Sequence, residues 1–359
     1  MSGRNYLSYV REDLIALWKV HAVLGEPGRT GPLSPERAEW TRRAQLLHAS
    51  LRDRPDAGVW PWAFQLGRTR TAASLKKGDV IWVVARLGGL GRRWPPALVA
   101  RMTLAEDAWV GPAQRCDRKD LPFPYHFGVA VLARSGGGRF FPANDATRAL
   151  IECRYQTPPQ IVPDLISLPD TADAHVAAWA AASGNAFRSL RRLLDPAPLE
   201  RLVERLRTHS VFLSYRWADH PEGSVERAGL RDLAEALMVR ERVGVWLDAL
   251  TLPPSRHDRE HRRAVIEQLL LTPLRETPLL VAHVTTDYGG PSAELGPDRP
   301  GYTLLEWCTA KRVLAWEHLP SRHANRLGQR GEPCHRCPST DPIDRVARDI
   351  DDCLSTSAA

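Results

Sequence analysis

Three short, almost uninterrupted apolar runs constrain the fold more than any other feature of the chain. They read VFLSY at 211–215, VGVWLD at 243–248 and PLLVAHVT at 278–285. Runs of this length and composition are strands buried on both faces, because the alternation of a half-exposed strand is lost when both faces are covered. Between the first two lies SVERAGLRDLAEALMVRE (224–241), which places Leu230, Leu233, Ala234 and Leu237 on one helical face. Between the second and third, a loop too rich in proline to be regular (ALTLPPSRHD) precedes HRRAVIEQLLLTPLRE, which reads as helical at least to Leu271. The order is β-α-β-α-β. Helical crossovers join parallel strands and cover both sheet faces, so an α/β domain with a parallel sheet is expected. Ligands of such sheets bind beyond the carboxyl ends of the strands, near the point where strand order reverses.

The chain before about His209 reads differently. Residues 5–24 carry Leu7, Val10, Leu14, Leu17 and Val20 at helical spacing, and Ser34-Pro35-Glu36 opens a second helix running to about Leu51. From Gly58 to Tyr155 short β-branched runs take over. Residues 79–87 and 96–104 form an antiparallel pair, FGVAVLAR and RFFPA a hairpin across S-G-G-G, and ALIECRY (149–155) a further strand. A small antiparallel sheet or barrel is the expected result. From Thr171 to Leu206 an Ala-rich piece and two Arg-rich pieces read as helical. The expected organisation is therefore a basic α+β domain over 1–165, a helical connector over 166–208 and the α/β domain over 209–356.

Charge is divided between the halves. The net charge is +7, yet residues 1–208 hold 30 Lys/Arg against 20 Asp/Glu, and the remainder 19 against 22. An anionic partner for the first half, nucleic acid or a nucleotide, is one expectation; an arginine-rich chain that decorates its solvated faces is the other. Trp60, Trp62, Trp82 and Trp94 lie among Arg68, Arg70, Arg92 and Arg93, an arrangement that either stacks bases or fills a barrel core. LKKGDVIWVV resembles, over about a dozen residues, the Lys-Gly-Asp turn and strand of small RNA- or modified-base-binding barrels of the PUA/EVE type.

No run approaches the roughly 18 apolar residues of a membrane helix, and charges scattered through MSGRNYLSYVRED leave no apolar signal core. No membrane partner and a cytoplasmic location are expected. Six cysteines in 359 residues make no disulfide framework. Cys334 and Cys337 form one C-x-x-C with His335 between them and His323 upstream, but a second ligand pair is missing, so a Pro-rich loop without metal is the expectation.

The second half resembles a TIR (Toll/interleukin-1 receptor) domain of bacterial type over about a hundred residues. Phe212-Leu213-Ser214-Tyr215-Arg216 with Asp219 is similar to the family's opening box. Val245-Trp246-Leu247-Asp248 followed by Pro253-Pro254 is similar to its second box and BB loop. Tyr302-Thr303-Leu304-Leu305-Glu306 takes the place of its W-x-x-x-E, with Tyr for Trp and with Trp307-Cys308 after the glutamate. The resemblance implies a flavodoxin-like fold and an NAD⁺ nucleosidase that uses NAD⁺ as substrate and needs no cofactor. It also implies homo-oligomers through TIR–TIR contacts and a part in prokaryotic defence, with the first half as sensor. Glu306 becomes the candidate catalytic residue, and Ser214, Tyr215, Arg216, Asp219, Asp248 and Tyr302 the candidates for substrate binding. Two other readings stand beside it: a non-catalytic TIR interaction module, and a related nucleoside-processing enzyme such as a deoxyribosyltransferase. No phosphate-binding G-x-x-x-x-G-K-[ST] and no dinucleotide fingerprint is present.

Overall fold

In the computed structural model the described residues are 3–10, 61–66, 69–87, 95–111, 129–156, 190–216, 225–247, 267–291, 301–318, 320–328, 333–338 and 340–356, with isolated positions between 15 and 46. The chain forms two compact units, one from 1–141, 146–202 and 251–256, the other from 142–145, 203–250 and 257–359. No helix among the described residues is long and apolar enough to cross a membrane.

The first unit is a mixed eight-stranded sheet with the order β2-β6-β4-β3-β1-β8-β7, β5 pairing with β6. The strands are β1 (Asn5–Tyr9), β2 (Ala63–Leu66), β3 (Val80–Arg86), β4 (Pro96–Leu104), β5 (Trp109–Val110), β6 (Val129–Phe140), β7 (Arg154–Tyr155) and β8 (Arg191–Asp195). Two short helices, α1 (Arg70–Ala73) and α2 (Thr147–Glu152), interrupt them. The antiparallel β3–β4 pair agrees with its apolar runs. Ile81, Trp82, Val83 and Val84 are fully buried, each aliphatic side chain contributing about 1.5–3 kcal/mol of burial.

Four expectations for this half are corrected. Residues 5–9 are a strand, not the start of a helix: β1 lies between β3, to which it is parallel, and β8. All five residues of β1 are paired with β3 and three of them also with β8, which outweighs a helical apolar spacing shared by chance. S-G-G-G is no hairpin turn but part of the continuous β6, because the register against β4 passes from Leu104↔Ala133 to Met102↔Gly138. One residue of β4 thus opposes four of β6, and Gly136 takes the left-handed φ of 66° that this bulge requires. Residues 149–152 of the strand predicted over 149–155 belong instead to helix α2, leaving only β7 extended. The segment 191–195 of the predicted connector is strand β8 of this sheet; residues 157–189 lie outside the described residues.

Helix α3 (Ala197–Thr208) contains the boundary between the units. The second unit is a five-stranded sheet, wholly parallel, in the order β10-β9-β11-β12-β13. Its strands are β9 (Ser210–Ser214), β10 (Gly244–Leu247), β11 (Leu279–Val284), β12 (Val313–Glu317) and β13 (His335–Pro338). Numbered along the chain, that is 2-1-3-4-5. The three strands expected from the apolar runs are β9, β10 and β11; β12 and β13 were not expected. The crossovers include α4 (Val225–Val239), a π turn (Glu267–Leu271) running into α5 (Thr272–Glu276), α6 (Tyr302–Thr309) and α7 (Ala324–Gly328), and α8 (Ile343–Ser355) follows the last strand. Helix α8 buries Val346, Ala347, Ile350 and Leu354 on one stripe and packs against α4, with Arg240 paired to Asp344.

Candidate functional site

In a 2-1-3-4-5 sheet the order reverses between the first and third strands, here β9 and β11. Crossovers leave these neighbours toward opposite faces, so a crevice opens at their carboxyl ends. Ser214 is the last residue of β9 and is paired in register with Ala282 of β11. Beyond β11 the chain turns through Thr285-Thr286-Asp287-Tyr288-Gly289-Gly290, and α6 begins at Tyr302.

Three side chains from these elements meet. Ser214 Oγ donates to Glu306 Oε2 at 2.5 Å and lies 2.6 Å from the Tyr288 hydroxyl. A serine has one proton to give, so with Ser214 donating to the carboxylate, Tyr288 donates to Ser214. The result is a relay, Tyr288 to Ser214 to Glu306. Burial, and next the Glu306 charge, push the Tyr288 phenol well above its ordinary range, so it keeps the proton the relay needs. All three are buried: Ser214 is 1% exposed, Tyr288 0% and Glu306 6%. A hydroxyl-to-carboxylate bond this short is charge-assisted.

Helix α6 presents Thr303, Glu306 and Trp307 inward, spacing i, i+3, i+4. Thr303 Oγ1 accepts from the Gly289 amide at 3.0 Å, and the Tyr288 and Trp307 rings meet edge to face at 6.2 Å. Ser321 Oγ donates to the Tyr288 carbonyl at 2.5 Å. The tyrosine is thus held from both ends.

Arg216 lies two residues beyond Ser214. Its guanidinium donates to the carbonyls of Asp287 and Pro291, binding the turn after β11 to the end of β9. A Cβ at Gly290 would lie 2.4 Å from Arg216 Nη1 and 2.9 Å from the Asp287 carbonyl oxygen, so a side chain there would disturb both partners of this bond. Tyr215 is buried at 7% exposure beside Ser214, whereas Tyr302 is half-exposed, one position off the inward stripe of α6. Asp219, Asp248 and the Pro253-Pro254 loop lie outside the described residues. Tyr288, Thr303 and Ser321 were missed from the sequence. The one available signal for Tyr288 was D-Y-G-G directly after the third apolar run, where a parallel sheet puts its ligand loops.

Beside the relay, a pocket of about 580 Å³ is lined by Val284, Trp307, His318, Ser321, Leu327 and Arg336, among others. Its size is that of a small-molecule site. Trp307 and Ser321 form its wall toward the relay, since both touch Tyr288. In the first unit Trp62 and Trp82 are core residues at 3% and 0% exposure, and Trp82 Nε1 donates to Asn5 Oδ1 at 3.0 Å. They offer no stacking face; Trp60, Trp94, Arg68, Arg92 and Arg93 lie outside the described residues.

No protein-family model, no curated protein and no solved structure matches the chain.

Proposed function

We propose that the second unit is a TIR-type domain that cleaves the nicotinamide–ribose bond of NAD⁺, with Glu306 as its catalytic carboxylate. The observation that carries this reading is the hydrogen bond from Ser214 to Glu306, two residues 92 positions apart that the motif resemblance assigns independently to one site. The 2-1-3-4-5 order, which is that of flavodoxin-like sheets, supports it, as does the location at the switch point. The pocket beside the relay is large enough for part of a dinucleotide.

The chemistry asks little of the protein. The bond between C1′ and the pyridinium nitrogen breaks with its electron pair going to nitrogen, so nicotinamide departs neutral and needs no general acid. Positive charge develops at C1′, as in glycoside hydrolysis, and a carboxylate there stabilises it. Water then adds at C1′ and loses a proton. In this reading Ser214 fixes the orientation of Glu306, Tyr288 fixes Ser214, and Arg216 holds the turn that carries Tyr288. The basic first unit would act as the sensor and self-association as the trigger for turnover.

A second reading, a non-catalytic interaction module, is favoured by one observation: Glu306 is 6% exposed, and Trp307 rather than Glu306 lines the pocket. Nicotinamide release by the purified full chain, dilute and under crowding, separates the two. Release that disappears in Glu306→Gln supports the enzyme; release that persists in that variant overturns the assignment of Glu306. Absence of turnover in every assembly state, with NAD⁺ still bound, establishes the module.

A further inference from the structure

The C-H-R-C segment takes no part in the relay, and of its four residues Arg336 lines the pocket; it is not a loop. His335 and Cys337 lie on β13, the edge strand, and at i, i+2 they point to the same side of the sheet. That side faces α8, which presents Asp349. His335 Nε2 and Cys337 Sγ each lie 3.9 Å from the same oxygen, Asp349 Oδ2, and all three ligand atoms fall within 4.8 Å of one another. Cys353 follows Asp349 by one turn on the same helix.

We propose that His335, Cys337 and Asp349 form a binding site for a thiophilic divalent cation of the zinc class, water completing the tetrahedron. A tetrahedral zinc with nitrogen, sulfur and oxygen ligands separates its ligand atoms by roughly 3.3–3.7 Å. The two 3.9 Å separations to Asp349 Oδ2 therefore need about half an ångström of closure or less, and the imidazole-to-thiol separation, which lies within 4.8 Å, at most about 1.3 Å. An ion pair between His335 and Asp349 would need no thiol at the same oxygen, and a cysteine kept only for packing would need no imidazole two residues away. The buried thiol, at 1% exposure, sits on the inner side, and the exposed His335 gives an entry path from solvent.

Such a cation would tie a four-residue edge strand to the last helix. The intervening Arg336, paired with Glu317, and the following Pro338 belong to the pocket wall. Metal occupancy would thus fix one wall of the pocket without entering it. This differs from the zinc pattern weighed in the sequence, which counted Cys334 and His323: Cys334 Sγ instead donates to the Val313 carbonyl at 3.0 Å, and His323 lies near Asp287.

The test uses the full chain, stripped with a chelator and titrated with cobalt(II) alone, then with zinc(II). One equivalent of cobalt should produce tetrahedral d–d bands and a thiolate-to-metal band, both displaced by zinc, and zinc should raise the thermal midpoint. Cys337→Ser and Asp349→Asn should weaken binding on the order of 100-fold, whereas Cys308→Ser, which alters an exposed thiol outside the cluster, should bind like wild type. His335→Gln changes an exposed side chain and so keeps the test valid if Cys337→Ser fails to fold; it should also weaken binding. A wild-type protein without the thiolate band, or a band that survives both Cys337→Ser and His335→Gln, overturns the site. The readout is binding, so it stands or falls apart from NAD⁺ turnover.

Discussion

Two buried carboxylates, Asp79 in the first unit and Glu306 in the second, keep different company. Asp79 ends the Lys-Lys-Gly-Asp turn and accepts from the Arg4 amide and guanidinium and from the Lys76 amide, at 2.8 to 3.3 Å. These bonds fasten the start of β1 to the start of β3. Glu306 is met by a hydroxyl that is itself backed by a phenol, at the carboxyl edge of a parallel sheet. A carboxylate enclosed by a guanidinium and main-chain amides is an anchor. In the reading proposed above, one that accepts from a hydroxyl at a sheet edge is placed to face a cationic centre brought beside it. Burial alone does not set these two acids apart; the donors named here do.

Substitutions at the two positions should therefore fail in opposite ways. The largest effect is expected from Glu306→Gln, which should lower nicotinamide release on the order of 100- to 1,000-fold with an unchanged urea midpoint. A matching loss of stability would make Glu306 an anchor too. Asp79→Ala should do the reverse. It should cost about 3 kcal/mol in urea unfolding, below the top of the range for a broken buried pair because Arg4 keeps some exposure, and should leave turnover per folded molecule unchanged.

Lys19 provides the pH probe of the first unit. It is 4% exposed, lies over the Phe140 ring at 5.7 Å, and burial lowers its pKa from 10.5 to about 8. Between pH 8 and 10.5 the unfolded chain holds this proton and the folded chain does not, so stability rises with pH across that window. Below pH 8 the amine is charged in both states and the burial penalty is fully present. Lys19→Met should thus stabilise the protein at pH 7 by up to about 3 kcal/mol. The gain should vanish as pH approaches 10.5 in paired denaturation curves; a pH-independent gain would assign it to packing.

The smallest effect belongs to Tyr288→Phe. Removing the phenol should cost about 1 kcal/mol of stability. If the relay orients Glu306, it should also lower turnover at saturating NAD⁺ more than it changes KM, whereas equal activity would reduce Tyr288 to packing.

The apolar runs at 211–215, 243–248 and 278–285 made three strands of the second sheet legible, because residues buried on both faces lose their alternation wherever they occur. Strands β12 and β13 were not legible. VLAWE is short and ends in a charge, and HRCP has one buried residue in four, so neither carries a periodicity to read. In the first unit β1 was misread because Leu7 and Val10 fit a helical spacing as well as a strand, and only pairing with β3 and β8 decided between them. At the site, Ser214, Arg216 and Glu306 came from motifs, while the bond from Arg216 to a carbonyl 71 positions away was not legible.

What the sequence determined by itself is what local burial writes into neighbouring residues: an α/β second half, its first three strands, the division of charge between the halves, and a short set of candidate acids. Strand order, the relay through Tyr288 and the approach of Asp349 to Cys337 were decided by tertiary structure alone. Each depends on which distant backbone groups pair, and such pairing is set by the sum of many weak contacts that no short window of sequence contains.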